Sequence, residues 1–242
     1  KIKSASFEVK PSIRSLILQF LMVLLFCTFF TTPLFATTLY YPHIASAGVW
    51  ETEVGIINNA DSALTGILYG YDDAGTQIET LDISLAPGGR QEITVGASFT
   101  NADQITNMKL DPGTTSCSGY EKFYQVGSSR VAIPAISTVN TGDLYIPHIA
   151  SSSTWWTGIA LLNTNPTATT MTFTFSDGSQ ADLTLAAGQH WADTVQGITS
   201  VLPNIDPSLL ESAVISNASG VIGLELFGSQ VGSGHYLSGV LL

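Results

Sequence analysis

Leu39-Tyr40-Tyr41-Pro42-His43-Ile44-Ala45-Ser46 returns as Leu144-Tyr145-Ile146-Pro147-His148-Ile149-Ala150-Ser151, seven of eight positions identical at an offset of 105. The echo continues. Trp50-x-Thr52-x-Val54-x-Ile56-Ile57-Asn58 is answered by Trp155-x-Thr157-x-Ile159-x-Leu161-Leu162-Asn163. Leu85-Ala86-Pro87-Gly88 is answered by Leu185-Ala186-Ala187-Gly188, and Gly119-Tyr120-Glu121-Lys122-Phe123 by Gly223-Leu224-Glu225-Leu226-Phe227. Self-similarity in fixed order over about a hundred residues means one folding unit used twice. This constrains the architecture far more than the activity.

Within each unit, apolar and polar residues alternate in short stretches separated by Gly, Asn, Asp and Pro. Segments 39–44, 54–58, 65–71, 78–85, 91–95, 106–110, 119–125 and 131–136 read as strands, at the spacing of a sandwich or barrel. Tyr71-Asp72-Asp73-Ala74-Gly75 and Phe175-Ser176-Asp177-Gly178 lie at matching places and read as hairpin turns, because Gly and Asp tolerate positive φ. Segments 98–104 and 198–210 are irregular crossovers with room for one helical turn each. The expected fold is all-β: two tandem, homologous antiparallel β-sandwiches, 37–138 and 139–242, after an N-terminal signal helix.

That N-terminal segment reads as a secretory signal peptide over residues 1–36. Lys1, Lys3, Lys10 and Arg14 precede an apolar run at 16–30, with a small residue, Ala36, at the end. A retained anchor is the alternative, but the run is fifteen residues long and a span needs about twenty. Cys27 follows Phe26, too bulky for a lipobox. The expected location is exported: periplasm, cell surface or extracellular. After cleavage Arg90, Lys109, Lys122 and Arg130 stand as four bases against eighteen acids, a net charge of −14. Such a surface repels phosphate backbones and anionic lipid heads, which excludes nucleic acid and a membrane as partners. Cys117 is then the single cysteine, so stability rests on buried apolar area without an internal disulfide.

Alternation along 50–58 places Trp50, Thr52, Val54 and Ile56 on one side, and Trp155, Thr157, Ile159 and Leu161 on the equivalent side. This recurring face is the expected core. The opposite faces diverge: Glu51, Glu53, Gly55 and Ile57 against Trp156, Gly158, Ala160 and Leu162. The linker around 138–142 is too short for free reach, so the units should lie close together, and part of the second unit's apolar outer face can be that contact.

Candidate chemistry is sparse. His43 with Glu121 and His148 with Glu225 recur as pairs, and are expected to be structural, each His bonding backbone or its Glu. No nucleophile elbow, zinc-protease helix or phosphate loop occurs. Cys117 reads as a small strand residue, and Gly232-Ser233-Gly234-His235 as a hairpin tip. Asp72, Asp73, Asp103, Asp111 and Asp206 lack the spacing of a calcium loop and read as solvated turns. Asn217-Ala218-Ser219 fits a glycosylation sequon by chance. No metal and no cofactor is expected. The sharpest lead is aromatic: Trp156 lies on the divergent face, and His190-Trp191 replaces Arg90-Gln91. Exposed indoles on a rigid sheet suit sugar rings or protein partners. The competing account buries Trp156 between the units and uses Trp191 to close the core.

Tyr40 to Ala45 with Trp50 to Asn58, and Tyr145 to Ala150 with Trp155 to Asn163, carry a resemblance. Both units resemble a group of uncharacterised exported bacterial proteins marked by Tyr-x-Pro-His-Ile-Ala followed by Trp-x-Thr-x-Ile-x-Leu-x-Asn. The first unit departs from it conservatively, at Val54 and Ile56. The group has no established activity, and the resemblance implies export and tandem β-domains. The expected function is an exported, non-enzymatic binding or adhesion module that takes an extracellular glycan or protein through Trp156, His190 and Trp191. A structural spacer or surface-assembly protein is the alternative. A carbohydrate-active enzyme would need two facing carboxylates, which Glu121 and Glu225, on separate units, do not suggest.

Overall fold

The computed structural model describes residues 37–242 except 114, 126, 151, 196, 198–205 and 230–235. The expected signal segment and the hairpin tip at 232–235 lie outside the described residues.

Strand-forming alternation is realised throughout. The N-terminal half holds β1 (Leu39–Tyr41), β2 (Trp50–Asn58), β3 (Leu64–Tyr71), β4 (Gln77–Leu85), β5 (Arg90–Thr94), β6 (Asn107–Asp111), β7 (Cys117–Gln125) and β8 (Arg130–Pro134). The C-terminal half holds β9 (Leu144–Ile146), β10 (Trp155–Asn163), β11 (Thr169–Phe175), β12 (Gln180–Leu185), β13 (His190–Thr194), β14 (Ala213–Ser216), β15 (Val221–Ser229) and β16 (Tyr236–Leu241). They form four antiparallel four-stranded sheets: β1-β6-β3-β4 and β5-β2-β7-β8, then β9-β14-β11-β12 and β13-β10-β15-β16. Strand by strand, the second pair follows the order of the first. Both crossovers carry helical turns: α1 (Val95–Ser98) and a 3-10 turn at Ala102–Gln104 in one, a 3-10 turn at Pro207–Leu209 in the other.

The polar letters of the repeated phrases prove to be latches. Thr52 Oγ1 accepts from Ala45 N at 2.8 Å and donates to Ala45 O at 3.1 Å, and Thr157 does the same to Ala150 at 2.9 and 3.1 Å. At the far end of the same strands, Asn163 Nδ2 donates to the carbonyls of Thr167, Leu185 and Ala186 at 2.9, 3.0 and 2.9 Å, while its Oδ1 accepts from Asn165 N at 3.0 Å. Asn58 holds Ser62, Ala86 and Ala60 in the same manner. A buried loop has main-chain groups that water cannot reach, and one Asn satisfies several of them at once. The hairpin turns are as expected, with Gly75 at φ 80° and Gly178 at φ 84°.

Each half has its own apolar cluster drawn from both of its sheets. Val54, Ile56, Leu68, Ile83, Met108 and Leu110 belong to the first, and Ile159, Leu161, Met171, Phe173, Leu185 and Ile215 to the second. Thr52 and Thr157 are fully buried beside them. Trp50 and Trp155, expected on that core face, are not in either cluster; Trp50 is half-buried and Trp155 is 40% exposed. They stand at the first residue of their strands. Alternation gives a side chain its face, whereas coverage by the opposite sheet decides whether that face is interior.

Candidate functional site

The divergent faces explain how the halves meet. On the N-terminal half, Lys122 and Glu53 form an ion pair on the outward face of β2 and β7, and Glu51 accepts from Ser46 Oγ and Gly96 N. On the C-terminal half the matching face is apolar, with Ala160 opposite Leu224 and Gly158 opposite Leu226. Ala160, Leu224 and Leu226 pack with Phe123 and Ile133 of the N-terminal half in a third cluster, against which Ala45, Val131, Trp156 and Leu237 lie. Charge would be costly on a face that loses water, and Leu is favourable there. Asn140 pins the connection: its carbonyl accepts from Gly220 N at 2.8 Å and its Nδ2 donates to Ala218 O at 3.2 Å.

His190 is the polar centre of this seam. It is buried, its N–H donates to Asp73 O at 3.0 Å, its Nδ1 lies 2.7 Å from Asp73 Oδ1, and its Nε2 lies 3.2 Å from His43 Nδ1. The planes of the two imidazoles lie 13° apart with centroids at 5.3 Å, and the 3.2 Å nitrogen separation is within reach of a hydrogen bond between the rings. His43 also rests on Phe123 at 5.6 Å. Burial, then the neighbouring His190, lowers the His43 pKa to about 3. The hydrogen bond from His190 holds Asp73 below its ordinary value. The position matching His190 is Arg90, whose side chain reaches water and pairs with Glu92. The substitution therefore tracks the seam.

Beside this seam lies a cleft of about 660 Å³ lined by Trp50, Trp155, Trp156, Phe123, His43 and Asp193, with Ser152, Ser153, Thr154 and Thr194 among its polar groups. Trp50 and Trp156 meet edge to face at 6.2 Å and 85°, and Trp155 stacks with Tyr236 at 6.4 Å. Its volume falls within the range of small-molecule sites.

Of the residues singled out from sequence, Trp156 lines the cleft, half-buried, and His190 reaches it through His43. Trp191 does not join them: it packs on the C-terminal core, edge to face with Phe173 at 6.4 Å. The His43 ring bonds the His190 ring rather than main chain or Glu121. Glu121 and Glu225 are fully buried, and among the described residues no side chain bonds their carboxyl oxygens; the His43 main-chain N–H is the polar group near Glu121. Burial pushes Glu121 well above its ordinary value, against a weaker opposing pull from the His43 main-chain N–H, and raises Glu225 to about 7. His148 is exposed, with its ring edge on Phe227 at 5.7 Å. Cys117 is buried and its thiol is pushed up to about 11 by burial, the environment of an inert thiol. Asp72, Asp111 and Asp206 cap turns through Ala74, Gly113 and Ser208 N–H groups. Among the described residues no group of three or more His, Cys, Asp or Glu is arranged to hold a metal ion.

Sequence reasoning missed Trp50, Trp155 and Asp73 as site residues. The replacement of Arg90 by His190 was a usable signal, but its partner Asp73 lies 117 residues away. Fold and site together define an all-β protein of four antiparallel sheets with an aromatic cleft where its halves meet. No protein-family model matches the chain, and no curated protein is similar to it.

Proposed function

We propose that the protein is an exported, non-catalytic binding module built from two copies of one β-sandwich, and that its ligand lies in the cleft between them. The repeated phrases and the common strand order support duplication. The observation that carries the binding reading is the convergence of Trp50, Trp155 and Trp156, from both halves, on one cleft. Indoles held at right angles on rigid strands present flat apolar walls to a sugar ring or another planar body. Neither Glu121 nor Glu225 lines the cleft, which leaves a hydrolytic reading without its pair of carboxylates.

The test is a tryptophan-fluorescence titration with soluble oligosaccharides and with small aromatic amines. Trp156→Ala should weaken whichever probe binds by about tenfold, a loss of about 1.4 kcal/mol, while Trp191→Ala should leave its affinity within twofold. Equal losses in the two variants would remove the cleft from consideration. The assembly reading draws on the outer strands of the C-terminal sheets, where Tyr145 of β9 and Tyr236 of β16 are 62% and 66% exposed. Sedimentation that shows concentration-dependent oligomers, abolished by Tyr236→Asp, would favour it.

A further inference from the structure

We propose that the cleft selects an organic ammonium on a flat apolar body, with His43 Nε2 accepting a hydrogen bond from its N–H; this rests on the cleft being the binding site. The argument begins at Asp73. Its carboxylate is an acceptor, so the His190 Nδ1 that lies 2.7 Å away carries the proton. With His190 neutral, its one N–H is spent on Asp73 and its Nε2 is left as a lone pair. The atom facing that lone pair at 3.2 Å is His43 Nδ1, so it must be the donor. His43 Nε2 is thereby left bare. It makes no hydrogen bond among the described residues, and His43 is a wall of the cleft. The Asp73–His190–His43 chain therefore fixes an acceptor at this point of the cleft, as a second partner fixes the tautomer of a histidine elsewhere. Asp73 and His190 are positioning residues for it.

The remaining lining points the same way. Among the described residues, Asp193 is the charged group on the cleft wall and neither Lys nor Arg contributes. The faces of Trp50, Trp155 and Trp156 carry the negative side of the ring quadrupole, which attracts cations. A carboxylate ligand would meet a lone pair, a like charge and a wall of indoles.

Phenethylammonium, its N-trimethyl analogue and 3-phenylpropanoate share one phenethyl body and test the inference by calorimetry at pH 8, where an ordinary imidazole is neutral. The primary ammonium should bind at least tenfold more tightly than the propanoate, and several-fold more tightly than the trimethyl analogue, which keeps the charge but lacks the N–H. His43→Phe should erase the second preference and keep the first. Equal affinities of ammonium and propanoate, or an unchanged preference in His43→Phe, would overturn the inference. If an oligosaccharide binds and none of the three probes does, the ammonium assignment falls and the cleft stands. If nothing binds, both fall. In the unsubstituted protein, ¹⁵N resonances of His43 at pH 8 should show Nε2 without a proton; a protonated Nε2 overturns the tautomer assignment even if His43→Phe fails to fold.

Discussion

Asn163→Ala should destabilise the protein by about 3–5 kcal/mol, an unusually large effect for removing a polar side chain. Asn163 has no exposed surface, and its amide meets three carbonyls from two different loops while its carbonyl takes a main-chain N–H. Truncation removes those bonds without letting water in, so the stranded carbonyls of Leu185 and Ala186 lose their full solvation. Asn58→Ala should cost a similar amount, since Asn58 is 1% exposed and plays the equivalent part. Thr170→Ala is the control: its hydroxyl bonds Thr184 on the exposed face of a hairpin, and the change should stay within about 0.5 kcal/mol. Urea unfolding of the three variants decides the matter. A loss below about 1 kcal/mol for Asn163→Ala would mean that the loops find other partners and that the recurring Asn is not a latch.

The second large effect is on pH. Glu225 rises from an ordinary 4.5 to about 7 in the folded protein, so the native state holds its proton more tightly than the unfolded chain does. Stability from this group is complete below about pH 4.5 and is lost as pH rises through about 7. The expected fall is of order 3 kcal/mol between pH 4.5 and pH 8. Glu121, shifted in the same direction by complete burial, extends the decline to higher pH. Ile159 and Val240 flank Glu225 across its sheet and offer the carboxylate nothing. Glu225→Gln should therefore match the unsubstituted protein near pH 5 and exceed it by about 2–3 kcal/mol at pH 8. Denaturant midpoints from pH 4.5 to 8.5 provide the check. A wild-type curve that rises over this range would show that both carboxyls ionise freely in the folded state. Below pH 4 the trend reverses, because Asp73 titrates below its ordinary value while bonded to His190.

The sequence by itself determined the strands and their turns, and its repeated phrases anticipated the strand order that the two halves share. Period-two alternation and glycines such as Gly75 and Gly178 act over a few residues, so their meaning survives without tertiary context. Thr52, Asn58, Thr157 and Asn163 recur as polar letters inside apolar phrases, but their part as latches emerged only from the hydrogen bonds of the folded chain. Which recurring residues would be interior was a tertiary matter. Trp50 and Trp155 alternate in phase with Val54 and Ile159, yet they stand outside the apolar clusters that those residues join. The equal-looking pair His43 and His148 was likewise separated only by docking: one is enclosed by the other half's His190, the other faces water. Local rules assign a side chain to a face. Only the approach of a second sheet, joining residues 117 and 147 positions apart, decides what that face meets, and so turned a divergent strand surface into a seam with a cleft beside it.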